Sequence, residues 1–368
     1  MADRYKEAGI DYGVLDAAKR LALSQAVATS PQLERRGGRA HDESRGQSAF
    51  VFDFGGQTLA LVVEGLGTKA MLARQYMDET GKDFFDAMAY DTVAAIVNDL
   101  CSVGAVPLVV NAYFSTGDAA WLEGGPQFES LVGGWRRACE DAGATWGGGE
   151  SPALPGLVSD HDVELAGSAV GVVPREPLLG GALEPGDEIV LVESSGLHAN
   201  GASLARMLVD RHPDGVRATM PNGESFAEAV LRPSILYADL VARLIDAELP
   251  LSYLSHITGH GFLKIMRPLR PLTYRLTQVP PVPPVLEFMA DQLDLDPRAA
   301  YTTLNMGAGF AVYARPGSGE RVVEIARQAG LSAWVSGVVE EGPRRVVIEP
   351  IDVVLEGDEM VLGVESGD

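Results

Sequence analysis

Apolar and polar positions alternate poorly in the first clear element. FVFDF (50–54), GGQ (55–57) and TLALVV (58–63) predict a strand, a glycine turn and a strand, an antiparallel hairpin whose side chains need cover on both faces. The period then changes. Between Asp83 and Gly104 the apolar residues at 84, 85, 88, 93, 96, 97 and 100 fall at helical spacing, and glycine ends the run. PLVVNAYF (107–114) predicts a buried strand, 128–143 a second helix and VELAGSAVGVV (163–173) another long strand. The turn-rich PREPLLGGALEPGD (174–187) follows and marks the expected domain boundary.

A second unit opens with a strand at 188–194, a loop at 196–201 and an amphipathic helix at 202–211. Helical pattern recurs at 226–248, interrupted by Pro233, and a proline-led helix is predicted at 280–293. RVVEIARQAG (321–330) predicts a last helix, with strands at 333–341 and 344–350. The expected fold class is therefore α/β (α+β) in two domains, 1–174 with a mixed or antiparallel sheet and 175–350 of α/β type, with an acidic tail at 351–368 whose EGDEMVLGVESGD (356–368) is expected to be disordered. A chain of 368 residues exceeds one ordinary core, which agrees with two domains of about 170 residues each.

Composition narrows the class of partner. The formal charge of −22 is spread along the chain and argues against a nucleic-acid surface. No apolar run reaches the ~18 residues of a membrane span, and the expectation is a cytoplasmic protein. Cys101 and Cys139 form no C-x-x-C, so neither a zinc site nor a disulfide framework is suggested. An acidic protein that binds phosphates needs local backbone N–H groups, a few cations or Mg²⁺.

VEGLGTK (63–69) places such features where a strand becomes a helix. It has neither the G-x-x-x-x-G-K-[ST] of a P-loop nor the G-x-G-x-x-G of a dinucleotide site. Gly65 and Gly67 let the backbone approach a ligand, Lys69 adds a mobile charge, and Glu64 suits a metal shared with phosphate; a plain turn with a solvated acid and lysine would carry the same letters. On the following helix Asp91 and Asn98, seven apart, share a face, and Asp99 lies about 80° round. Asp91 sits in apolar surroundings, where a carboxylate is costly unless it is paired or binds a cation. WGGGESPALPG (146–156) reads as a glycine loop with Glu150, able to cradle phosphate or to form only a wide turn. SSGLHANG (194–201) sets His198 and Asn200 at the carboxyl end of a strand, where open α/β sheets place ligands. ITGHGF (257–262) and LNMGAGF (304–310) add two glycine loops, with His260 between two glycines.

Taken together these stretches resemble the aminoimidazole ribonucleotide synthetase (phosphoribosylformylglycinamidine cyclo-ligase) family, from YKEAGID (5–11) to RRVVIEP (344–350). The resemblance implies a dimer whose first domains pair into a barrel, with ATP and Mg²⁺ bound near it. It implies metal contacts from Glu64, Asp91, Asp99 and Glu150, and nucleotide contacts from Gly65, Gly67, Thr68, Asn98, Gly148, Gly149 and Asn200. Catalysis would fall to His198, Lys69 and Asp91, with His198 either handling a proton or touching phosphate. Three positions depart from the family pattern: HDESRGQSAF (41–50) replaces a glycine-rich loop, Glu64 stands for an aspartate, and His260 for a glycine. The implied reaction is ATP-dependent phosphorylation of the formamide oxygen of formylglycinamidine ribonucleotide, followed by closure of the imidazole ring. A paralogue acting on another amide, or a nucleotide-binding maturation protein without catalysis, would share much of the pattern.

Overall fold

The computed structural model describes residues 12–360, so YKEAGID and residues 361–368 lie outside it. Two mixed sheets form the frame. The first contains β1 (Arg39–His41), β2 (Phe50–Phe54), β3 (Gln57–Gly65), β4 (Val106–Thr116), β5 (Thr145–Glu150) and β6 (Val163–Val172) in the order β1-β2-β3-β6-β4-β5. Its ladders are antiparallel except β4–β5. The expected hairpin is β2–β3, with Phe50 opposite Leu61 and Phe54 opposite Gln57.

One face of this sheet packs on the helices Phe85–Cys101 and Pro126–Asp141. Ala60, Val62, Val110 and Ala169 point into that core, where Phe114 and Trp135 meet edge to face at 5.0 Å. The other face is also apolar but uncovered: Leu61 is 43% exposed and Val63 71%. Poor alternation along β3 thus reflects two apolar faces, as the sequence suggested, of which the described residues cover one.

WGGGE is not a loop but the edge strand β5, parallel to β4. Its glycines answer to packing. A Cβ on Gly149 would stand 2.1 Å from the Ala112 carbonyl oxygen, and Gly148 has φ +119 at the point where the register shifts.

The second sheet contains β7 (Glu188–Glu193), β8 (Leu251–His256), β9 (Leu272–Leu276), β10 (Ala308–Ala314), β11 (Ala333–Glu341), β12 (Arg345–Ile348) and β13 (Val353–Glu356), in the order β13-β12-β9-β11-β7-β10-β8. Central β7 and β10 are nearly continuous apolar runs, buried on both faces. Within the acidic tail β13 pairs with β12 and buries Leu355 completely, and the first residues of the stretch expected to be disordered form the turn Gly357–Glu359 with Met360 buried. The helical pattern at 226–248 divides into Phe226–Val230 and Ala238–Asp246. The seven residues between them, around Pro233, are neither helix nor strand; they lie against the helix Phe85–Cys101 of the first unit and bring the two halves together.

Candidate active site

The helix Phe85–Cys101 carries Asp91 and Asn98 on one face, as their spacing predicted, and that face meets the second half of the chain. Asp91 and Asn98 both point at residues 232–237, but their work is to bind backbone. The Ser234 N–H donates to Asp91 Oδ1 at 2.6 Å, Asn98 Nδ2 donates to the Ile235 carbonyl at 2.8 Å, and the Tyr237 N–H donates to Asn98 Oδ1 at 2.9 Å. Asp91 Oδ2 accepts from Lys69 Nζ, and both side chains are fully buried. Lys69 also donates to the carbonyls of His198 at 2.9 Å and Arg232 at 3.3 Å. Asp91, expected to hold a metal, instead faces a cation of the chain itself. With one oxygen on Lys69 and the other on Ser234, it forms a clasp between the two halves.

His198 sits in that clasp with φ 62 and is 5% exposed. The Ser195 and Ile235 N–H groups point at its Nε2, at 3.1 and 3.4 Å. An imidazole nitrogen that accepts from backbone carries no proton, so the hydrogen belongs to Nδ1. Nδ1 is buried and has no partner among the described residues; the same is true of Ser234 Oγ, and both residues line one small cavity. Burial, with the nearby His256 and Lys69, pushes the His198 imidazole well below its usual range and keeps it neutral. Gly309 makes room for this ring, since a Cβ there would lie 2.8 Å from His198 Cε1 and 1.9 Å from the Tyr237 hydroxyl. Asn305 fixes the loop before His198 by donating to the Gly196 carbonyl at 2.8 Å and accepting from Ser194 Oγ at 2.9 Å.

An adjoining cavity of about 80 Å³ gathers Glu64, Gly65, Asp99, Asn200 and His256. His256 Nδ1 and Asp99 Oδ1 are 2.7 Å apart. Burial alone would raise the Asp99 carboxyl, but the His256 hydrogen bond, with Lys264 and Arg267 beyond, holds it below the usual value. Glu64 opens to solvent on one side while protein crowds the rest of its carboxyl. That desolvation, then the charge of Asp99, pushes it up to about 7 against the Gly65 N–H and Lys264. Lys264 is brought down to about 7 by its burial and by Arg267, although Asp99 opposes the change.

VEGLGTK lines both this carboxylate cavity and a larger space. Glu64 and Gly65 line the first, while Gly67, at φ +71 and with no atom near its missing Cβ, lines a cleft of about 490 Å³ with Thr68, Tyr113 and Ser115. The cleft is the size of a small-ligand site. Thr68 Oγ1 also meets Ser203 Oγ at 3.0 Å, across the two halves.

The expected metal set is only partly assembled. Glu64 and Asp99 share a cavity, enough for a Mg²⁺ that takes one or two carboxylates and completes its shell with water and phosphate. Glu150 is exposed on β5, in line with Tyr113, Ala166 and Gly65, and so about 14 Å from Gly65 at the usual strand spacing. Gly148 and Gly149 lie on the same edge strand. Among the described residues no group of three or more His, Cys, Asp or Glu converges for a metal. His260 has φ 73 at the turn after β8, the left-handed backbone a glycine would supply. His256, Ser234, Tyr237, Asn305 and Lys264 did not stand out in the sequence; only His256 carried a usable signal, its place directly before the glycine loop ITGHGF.

The likeness to known proteins follows the same two halves. Residues 46–173 match the family model "AIR synthase related protein, N-terminal domain" and residues 184–349 match its C-terminal counterpart. The chain belongs to the AIR synthase related family. A phosphoribosylformylglycinamidine cyclo-ligase of Alkaliphilus oremlandii (strain OhILAs) is 30% identical over 94% of this chain and 99% of its own. One from Anaeromyxobacter sp. (strain Fw109-5) is 35% identical over 78% of this chain and 82% of its own. With these matches the expectation of an enzyme of the ATP-dependent cyclo-ligase class stands. Among solved structures, the hydrogenase maturation protein HypE in complex with ATP superposes with a TM-score of 0.57, 18% identity, and coverage of 86% of this chain and 87% of its own, a likeness of fold. No helix among the described residues is long and apolar enough to cross a membrane.

Proposed function

We propose that this family member converts formylglycinamidine ribonucleotide to aminoimidazole ribonucleotide in purine biosynthesis. The observation that carries the reading is the continuity of VEGLGTK from a carboxylate cavity into a nucleotide-sized cleft, in a chain matched along nearly its whole length by cyclo-ligases. ATP would lie along Gly67 and Thr68 with its phosphates toward Gly65. Its γ-phosphoryl group passes to the formamide oxygen and ADP leaves. An amidine nitrogen of the substrate then attacks the activated carbon, closing the ring, and inorganic phosphate departs with the former amide oxygen as the ring loses a proton. A Mg²⁺ held by Glu64 and Asp99 would supply charge neutralisation for the phosphate oxygens.

The chain's own groups divide the remaining work. His198 is neutral and its Nε2 is capped, which favours donation from Nδ1–H to a phosphate or developing oxyanion over proton shuttling. Lys69 and Asp91 act as positioning residues by holding the His198 carbonyl and Ser234 in place. Asn98 does the same for 235–237, and Asn200 faces the metal cavity. The protein would work in the cytoplasm as a homodimer, with the open face of the first sheet against a second copy.

Incubation with formylglycinamidine ribonucleotide, ATP and Mg²⁺ tests the reading, with aminoimidazole ribonucleotide and ADP in equal amounts as the expected products. ATP turnover without imidazole formation would instead indicate a paralogue acting on another amide. Absence of both would indicate a nucleotide-binding protein without catalysis.

A further inference from the structure

A second cleft, of about 650 Å³, lies where the 39–47 segment of the first half meets residues 176–182 and 267–270 of the second. It shares no lining residue with the cavities around His198 and Glu64 or with the cleft beside Thr68. Four arginines, Arg39, Arg45, Arg267 and Arg270, line it beside Asp42, Glu43 and Glu176, in a protein that carries −22 overall, and Arg39 is paired with Asp53. The Arg267 guanidinium donates to the Gly46 carbonyl at 3.0 Å and to Ser48 Oγ; Arg270 Nη1 donates to the carbonyls of Gly181 and Leu183. These acceptors have no net charge, so neither guanidinium is neutralised by its hydrogen bonds, although Arg267 also favours the Asp99 carboxylate from a distance. Nη2 of each has no partner among the described residues.

Arg45, with a side chain 12% exposed, adds a third cation and spends part of its charge on Asp42. Glu43 and Glu176 also line the cleft, but both are exposed to water, where their repulsion of an anion is screened. Arg267 is 8% exposed and acts at lower dielectric. Beside the arginines stands an apolar wall of Leu179, Pro268 and Leu269, the last 41% exposed. Planar donor forks suit phosphate, and an apolar wall suits a ring.

We propose that this cleft binds a phosphorylated, ring-bearing small molecule of mononucleotide size, with its phosphate on Arg267 and Arg270 and its ring on the Leu179–Leu269 wall. The site is separate from the one proposed for ATP. Because the 41–50 segment forms one side of it, the cleft also gives a use to the stretch where this chain departs from the family pattern.

Calorimetric titration with AMP, inorganic phosphate and adenosine tests the proposal. AMP should bind, with phosphate and adenosine each at least tenfold weaker. Gly181→Trp fills the cleft from a position with no atom within 4 Å of a Cβ and no left-handed backbone, so the fold should survive while AMP binding drops at least tenfold. Arg270→Met should do the same, and unfolding curves on each variant confirm that it is folded. AMP binding that survives Gly181→Trp lies elsewhere and overturns the proposal, as does adenosine binding equal to AMP or no AMP binding at all. Phosphate binding equal to AMP removes the ring half of the site and overturns it in this form.

Discussion

Asp91 shows how a residue can be read correctly as needing a partner while the partner stays hidden. Its apolar neighbours on the helix demand compensation for a buried charge, and the sequence cannot say whether that comes from a metal or from another part of the chain. Lys69, 22 positions earlier, supplies it. Asp91→Asn leaves the Lys69 ammonium buried without a counter-charge, and a loss of about 3–5 kcal/mol in unfolding free energy is expected. Lys69→Met in the same chain removes that ammonium while the introduced amide still accepts from the Ser234 N–H, so the double variant should regain much of the loss. Urea unfolding of the two single variants and the double decides it. Unchanged stability in Asp91→Asn with turnover abolished would restore the metal role to this carboxylate.

At the scale of elements, close contacts of backbone and side chain explain glycines that composition makes look like ligand loops. LNMGAGF contains Gly309 on β10, where the Tyr237 hydroxyl occupies the space of a Cβ while donating to the Glu193 carbonyl at 2.6 Å. Gly309→Ala should therefore cost roughly 1–3 kcal/mol through overpacking and displace His198 as well. Tyr237→Phe takes away the atom at 1.9 Å, so combining the two should return part of the stability. Melting curves for the set, with turnover measured alongside, test this; an additive double variant would show that the clash lies elsewhere. WGGGE gives the same lesson, because the 2.1 Å approach of Gly149 to β4 is invisible in the sequence.

For the whole molecule the open sheet face is decisive. Leu61 pairs with Val170, which pairs in turn with Val109, and Phe50 and Phe52 stack beside them with centroids 5.7 Å apart, so the apolar surface crosses four strands. A surface of this kind is unusual on a monomer. Wild-type protein should sediment as a dimer at micromolar concentration. Val63→Arg, at a side chain already 71% exposed in the single chain, should give folded monomer. A monomeric wild type would sink the assignment.

The hairpin, the helix Phe85–Cys101, the shared face of Asp91 and Asn98, and the strand-loop-helix around His198 were determined by local periodicity and turn chemistry, which act over a few residues and need no partner. So was the family resemblance, because its motifs are short and contiguous. Strands β8, β9 and β13 were not legible from local pattern, and β13 gains its order from pairing with β12. The tertiary structure alone decided which candidates meet. Docking of 231–237 on the first-half helix turned Asp91, Asn98 and Lys69 into a clasp and closed Nε2 of His198. The sheet order β3-β6-β4-β5 carried Glu150 away from Glu64, while His256 came to Asp99 from 157 positions along the chain. Distances between segments remote in sequence depend on how the two sheets pack, and no local pattern of residues encodes them.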